Sequence, residues 1–274
     1  HLSQPPLSYQ MKLLEEELHL PLIERSARGI ALTEAGRLLY KRAQGILELS
    51  ELTRKEMLAM ASGFTGTLHI GTVSSSGASL LGWRIPAFHQ KYPQIGFAIH
   101  EGNTFELMEM LESGLIELAI VRTPFHSDQL NCLYLSPEPM IAAGAASFFP
   151  AGMPSGQPIS LELLGHAPVI LYRRFEKILL SLCEQKGITP QVFCIADDAR
   201  TTLMWAEAGL GVAVVPQSAY RIMPHHNMVY GELSEEDLHT RIAAVCKKGC
   251  SLSWAAQQFL EIFAQQPPSA QTGI

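Results

Sequence analysis

From residue 66 onward, short apolar runs alternate with amphipathic stretches of helical period, and this alternation constrains the fold more than any other feature of the chain. It predicts strands near 67–72, 95–100, 117–121, 168–172, 191–195 and 211–215. Helices are predicted near 77–92, 104–113, 175–187, 199–208 and 252–265. Strands and helices in alternation, joined by short loops, indicate an α/β fold with largely parallel sheets. The segment from Ala145 to Gln157, rich in Gly, Pro, Ala and Ser, reads as a loop at the entry to a second lobe. A strand near 241–247 and the last helix are expected to return to the first lobe. That gives lobe I as about 64–140 with 241–265, and lobe II as about 141–240. The tail 266–274 is polar, carries two prolines, and is expected to be disordered.

The first 63 residues follow a different pattern. Residues 3–18 read as a short helix, with Ser3 as N-cap and Leu7, Met11, Leu14 and Leu18 at helical spacing. Pro5 and Pro6 sit in its first turn, where the missing N–H costs little. Two short apolar runs around a turn at Arg28-Gly29 predict a small hairpin. Thr33 then opens a helix with a hydroxyl cap and an early acid, and no proline interrupts the chain from 33 to 62. Leu32, Leu39, Ile46 and Met60 recur seven apart, with Thr53 the polar exception. Ala35 and Leu49 fall on the adjoining row, which Arg42 and Glu56 interrupt. Pairing with a second chain would bury this stripe; packing on its own domain is the alternative.

Composition narrows the function classes. The 274 residues suit one small and one larger unit, and 47% hydrophobic against 17% charged residues suffice for a sizeable core. A net charge of −6 argues against nucleic-acid binding through a bulk positive field. The five cysteines are scattered, which suits a reducing cytoplasm better than a disulfide framework. Cys246 and Cys250 could form a redox or metal pair, but with no His or second Cys pair nearby buried free thiols are the better reading. No export signal and no apolar run of about 18 residues stands out, so neither secretion nor a membrane partner is expected. The chain opens at His1 inside a helical pattern, as though cut within an element.

Four blocks in the first 36 residues are specific: Leu2-Ser3-Gln4-Pro5-Pro6-Leu7-Ser8-Tyr9-Gln10, Leu14-Glu15-Glu16-Glu17-Leu18, Leu22-Ile23-Glu24-Arg25 and Leu32-Thr33-Glu34-Ala35-Gly36. In order and spacing they resemble the second half of the winged helix-turn-helix of LysR-type transcriptional regulators. The resemblance implies that Ser3, Gln4, Pro5, Ser8 and Tyr9 face double-stranded DNA, with Arg25 near the backbone and Arg28 on the wing. Gln can pair with a base edge in bidentate fashion and Ser with bases or phosphates. The family usually carries Arg at the place of Tyr9, which puts its half-site preference in doubt. Two preceding helices are absent, so the chain as given is expected to bind DNA poorly. Residues 1–60 hold 8 Lys+Arg and 8 Asp+Glu, so bivalent binding as a symmetric dimer would have to supply affinity. Without the resemblance, residues 3–18 would read as an amphipathic helix with an acidic face.

Residues 64–265 resemble the effector domain of the same family, a periplasmic-binding-protein-like pair of α/β lobes. The landmarks are Phe64-x-Gly66-x-Leu68-x-Ile70-Gly71, Phe88 with Pro93, Gly114-x-x-Glu117-Leu118-Ala119-Ile120 and Ala208-Gly209-Leu210-Gly211-Val212-Ala213-Val214-Val215-Pro216. The glycines of the last precede a strand, the wrong order for a dinucleotide loop, and are read as a tight helix-to-strand turn. Ligands of open α/β sheets bind beyond the carboxyl ends of strands. That places candidate effector contacts at Ser74, Ser75 and Ser76, at Gly102, Asn103 and Thr104, and at Arg122 and Thr123, with Tyr172, Arg173 and the Thr201 region from the other lobe. Arg122 offers a fork for a carboxylate. The hydroxyls could equally cap helices, Arg122 could pair with a surface acid, and Arg173, Arg174 and Lys177 could form a solvated face.

No catalytic motif, cofactor motif or metal-ligand spacing stands out, and the His225-His226 pair has no acidic neighbour in sequence. The reading is therefore a cytoplasmic transcriptional regulator, not an enzyme, forming a homodimer or homotetramer. A small carboxylated effector would bind between its lobes. The rival is a solute-binding protein of a transport system on the same two-lobed fold.

Overall fold

The first unit, His1–Ala61, is built from a helix, a hairpin and a long helix, and a second unit spans Ser62–Ile274. The computed structural model describes residues 4–26, 29–61, 66–77, 82–221 and 225–265. Ser3, Arg28, the Ser62-Gly63 helix stop and the tail 266–274 lie outside the described residues.

Helix α1 (Gln4–Leu18) is followed by strands β1 (Ile23–Ser26) and β2 (Gly29–Leu32), paired antiparallel with Ile23 opposite Leu32. The Glu15 carboxylate accepts the backbone N–H groups of Leu22 (2.7 Å) and Ile23 (3.1 Å), tying the helix to the wing. Helix α2 (Glu34–Ala61) begins at the predicted cap: Thr33 Oγ1 accepts from Gly36 N at 2.9 Å and donates to Pro21 O at 2.7 Å. Gly36 is required there, because a Cβ would stand 2.1 Å from the Leu22 carbonyl oxygen. Along α2, Leu38, Tyr40, Ile46 and Leu47 are exposed.

The second unit holds two sheets. Lobe I has the order β4-β3-β5-β14-β6, from β3 (Gly66–Thr72), β4 (Ile95–Glu101), β5 (Leu118–Arg122), β6 (Leu130–Tyr134) and β14 (Ile242–Lys247). Alternate residues of β5 and β14 feed opposite faces, the period-2 consequence of a pleated strand covered on both sides. Leu118, Ile120, Ile242 and Ala244 pack with Phe88 of α3 (Arg84–Lys91) and with Phe259 and Phe263 of α8 (Trp254–Ala264). Ala119, Val121, Ala243 and Val245 pack with Leu107 and Leu111 of α4 (Thr104–Ser113).

Lobe II has the order β10-β9-β11-β7-β12-β8, with β13 (His239–Thr240) pairing β7. Its strands are β7 (Glu138–Ala145), β8 (Gln157–Ile159), β9 (Pro168–Tyr172), β10 (Gln191–Ala196), β11 (Val212–Pro216) and β12 (Met228–Leu233). Helices α5 (Arg173–Gln185), α6 (Ala199–Glu207) and the short α7 (Gln217–Tyr220) complete it.

Both sheets are mixed, which corrects the expectation of largely parallel ones. β7 runs antiparallel to β11 and β12, and β14 antiparallel to β5 and β6. The chain crosses between lobes twice, and the antiparallel strands are those at the crossings. The strand near 241–247 was expected, but β7 (EPMIAAGA) was not, because it is rich in small residues in place of β-branched ones. Gly209 and Gly211 do form the helix-to-strand turn. Gly209 has φ of 78° and donates to Ala206 O, and Leu210 N reaches Trp205 O at 3.2 Å, a Schellman ending. A Cβ on Gly211 would stand 2.5 Å from the Pro168 carbonyl oxygen.

Candidate functional site

In the first unit, α1 carries Gln4, Pro5, Ser8 and Tyr9 within its first turns. Ser8 and Tyr9 are exposed, Tyr9 by 61%, so an unburied phenol stands on the face assigned to DNA. Arg25 lies on β1.

In the second unit a cleft of about 580 Å3 opens between the lobes. Lobe I contributes Ser74, Glu101, Gly102 and Asn103, and lobe II contributes Tyr172, Arg173, Arg174, Asp197 and Asp198. Ser74 and Tyr172 face each other, hydroxyl to hydroxyl, at 3.4 Å, and Ala199 N donates to Ser74 Oγ at the same distance. Asn103, not Thr104, caps α4: its side chain accepts from Glu106 N at 3.0 Å while Glu106 accepts from Asn103 N at 2.9 Å.

Other expected contacts lie elsewhere. Ser75 and Ser76 are fully buried behind the cleft wall. Thr123 Oγ1 accepts from Arg241 N at 2.9 Å, and Thr201 is an exposed residue of α6; neither lines the cleft. Arg122 is not an open fork. It is fully buried, pairs with Glu138, and donates to Thr240 Oγ1 (2.8 Å), Ser75 O (2.8 Å) and Ser218 Oγ (2.7 Å). Glu138 and Thr240 sit at the two crossings between lobes, so this guanidinium pins the hinge. Burial holds its pKa below the usual arginine value, against the pull of Glu138.

The residue that sequence reasoning left on a solvated face is Arg174. It reaches across the cleft from α5 to Thr104 Oγ1 and the carbonyls of Arg122 and Pro124. All three acceptors are neutral. Its buried Nε has no hydrogen-bond partner, and neither does the buried Ser75 Oγ. Burial, helped by repulsion from Arg122 and opposed by Tyr172, holds its pKa below the usual arginine value. An Arg-Arg pair directly after a strand at the cleft was the available signal. Across the cleft mouth, Arg200 of α6 binds Glu101 of β4 through two hydrogen bonds (2.9 and 3.2 Å) and Asp198 of its own lobe (2.7 Å). Those bonds raise the Arg200 pKa; on Asp198, burial pushes upward but the bonds from Arg200 and from backbone N–H groups prevail and lower it.

Other chemistry is sparse. His225 meets a carboxylate after all, Glu207 at 3.2 Å, yet no group of three metal-ligating side chains occurs among the described residues. Cys246 is buried as expected, whereas Cys250 is exposed.

Comparison with known proteins decides the family. The LysR substrate binding domain matches residues 61–268, and the bacterial regulatory helix-turn-helix of the lysR family matches residues 1–37. The chain belongs to the LysR family of transcriptional regulators. Among LysR relatives it is 31% identical over 271 residues to the HTH-type transcriptional regulator BudR of Raoultella terrigena, covering 96% of this chain and 91% of that one. It is 26% identical to the dual regulator OxyR of Escherichia coli, covering 95% of this chain and 86% of that one. The crystal structure of CbnR, also a LysR regulator, shares the fold with a TM-score of 0.77 at 23% identity, over 96% of this chain and 89% of CbnR. Full-length BenM gives 0.61 at 25% identity, over 96% of this chain and 87% of BenM. The lobed unit is thus a LysR substrate-binding domain, and the reading as a transporter's solute-binding protein is not favoured.

Proposed function

We propose that this LysR-family chain is a non-enzymatic, cytoplasmic transcription factor whose DNA binding responds to a small carboxylated metabolite held between the lobes. One observation carries the ligand class. Arg174 is a largely buried cation on the cleft wall, and every oxygen it meets is neutral. The carboxylates in and beside the cleft are paired with other arginines: Glu138 with Arg122, Asp197 with Arg173, and Glu101 and Asp198 with Arg200. A buried charge without a counter-charge is costly, and an anion entering from the cleft would relieve that cost. The hydroxyls of Ser74 and Tyr172 would set its orientation. Of the expected contacts, Ser74, Gly102, Asn103 and Tyr172 remain, joined now by Arg174, whose guanidinium is bonded to Thr104.

On the DNA side, Gln4, Pro5, Ser8 and Tyr9 would enter the major groove, with Arg25 and Arg28 at the backbone and wing. The helix-turn-helix match and the exposure of Ser8 and Tyr9 support this. The exposed Leu38, Tyr40, Ile46 and Leu47 of α2 support pairing with a second copy, as a homodimer or a homotetramer built on it. Among the described residues no helix is long and apolar enough to cross a membrane. A ligand would act only through its differential affinity for two arrangements of the assembly.

A thermal-shift panel tests the ligand class. Carboxylates and their neutral amides are screened against the full chain and against Arg174→Met. At 100 times Kd a ligand adds about 2.7 kcal/mol to stability. At least one carboxylate should raise Tm in the full chain, its amide should not, and Arg174→Met should abolish the rise. If only neutral or cationic compounds shift Tm, the carboxylate assignment is wrong. Loss of ligand on replacing Ser75 and Thr104 together with Ala, at unchanged fold, would bring those two hydroxyls into the site.

A further inference from the structure

Lobe I carries a second hollow, of about 640 Å3, that shares no lining residue with the inter-lobe cleft. It lies where the second half of α4, the loop leading into β6 and the end of β14 converge. Its apolar part is Leu111, a member of the core beneath α4, with Met108 and Leu130 packed against that core. The loop around it is fixed by backbone contacts: Lys248 N donates to Gln129 O at 3.0 Å, Lys248 Nζ to Asp128 O at 2.7 Å, and Leu130 N to Ser127 O at 3.0 Å. The rim is exposed and carries both signs of charge. Lys247, Lys248, Glu112 and Asp128 line it beside His126, and of the four charged side chains only that of Lys248 makes a hydrogen bond or ion pair with another described residue.

We propose that this hollow is a binding site for a small zwitterion with an apolar body, an amino acid bearing an aromatic or large aliphatic side chain. Its size falls within the range of about 300–1,000 Å3 typical of small-molecule pockets, which pair an apolar lining with a few placed polar groups. The charges select the class. A simple carboxylate would satisfy Lys247 and Lys248 but face Glu112 and Asp128. A simple amine would do the reverse. A zwitterion meets both, with its side chain over Met108, Leu111 and Leu130. The site is independent of the carboxylate assigned to the cleft.

The test uses the full chain labelled with 13C in its methionine methyl groups, titrated with L-phenylalanine as probe. The Met108 methyl resonance should move saturably. 3-Phenylpropionate, which lacks the ammonium, and phenethylamine, which lacks the carboxylate, should each bind roughly three- to fivefold more weakly, the worth of one exposed ion pair. Glycine, without an apolar body, should leave the resonance in place. Lys247→Gln, a change at an exposed side chain, should weaken phenylalanine by a similar factor, and Arg174→Met should leave it unchanged. The proposal is overturned if the Met108 methyl stays put to about 10 mM, well past a millimolar Kd of about −4 kcal/mol. It is equally overturned if 3-phenylpropionate or phenethylamine binds as tightly as phenylalanine, or if Arg174→Met erases the shift.

Discussion

Arg122 is held by four protein oxygens and Arg174 by three, but only Arg122 has a carboxylate among them. The two should therefore respond differently to replacement. Arg122→Met leaves Glu138 at the hinge with only its bonds from Ser218, and should cost about 3–5 kcal/mol in urea unfolding. Arg174→Met removes a cation with no counter-ion, and should change stability by no more than about 1 kcal/mol in the absence of ligand. Equal losses in the two variants would refute this division of roles. Cysteine reactivity follows burial in the same way. Burial, together with nearby Glu235, pushes the Cys183 thiol pKa up, and burial does the same for Cys246. The thiolate is the reactive form, so iodoacetamide at pH 8 should label exposed Cys250 first and these two last, read by mass spectrometry.

Helix ends carry much of the local logic. α1 stops with His19 in the left-handed region, φ 53°, and Leu20 N bonded back to Glu15 O. A side chain there is strained, so His19→Gly should stabilise the first unit by about 1 kcal/mol. Gly36→Ala should do the reverse and more, since its Cβ would meet the Leu22 carbonyl and not a side chain that could move; thermal unfolding of the two variants checks the signs. At α6, Asp198 accepts from the N–H groups of Arg200 and Thr201 and also holds the Arg200 side chain. Cap removal by Asp198→Ala should cost about 1 kcal/mol. It should also loosen the hold of Arg200 on Glu101, a loss that a merely local cap would not produce.

At the scale of the whole receptor domain, the cleft is spanned by Glu101 to Arg200, Thr104 to Arg174 and Ser74 to Tyr172. These contacts tie the lobes to each other, and a ligand entering the cleft would compete with some of them. Glu101→Gln keeps the shape but removes the charge, and should open the lobes measurably in small-angle scattering. Acid should act similarly. The Asp198 pKa lies below its unfolded value, so its stabilising contribution is complete above the ordinary aspartate range and is lost as pH falls through the lowered value. Opening on acidification that persists unchanged in Asp198→Asn would exclude this residue as the cause.

Much was legible in the sequence because it is local. The caps at Thr33, the strand at 168–172 and the helix at 104–113 follow from side-chain period and turn chemistry within a few residues. The glycine pair at 209 and 211 also reads locally, as does the cleft's location beyond strand ends. What the chain did not disclose depends on pairings between distant residues. β7 takes its place through β11 and β12 partners some 70 to 91 residues away, such as Ala213 for Ala143 and Glu232 for Ile141. Arg122 and Arg174 look alike as letters. Only tertiary packing gave one a carboxylate partner and the other three neutral oxygens, because the energy of a charge depends on which groups surround it once water is gone.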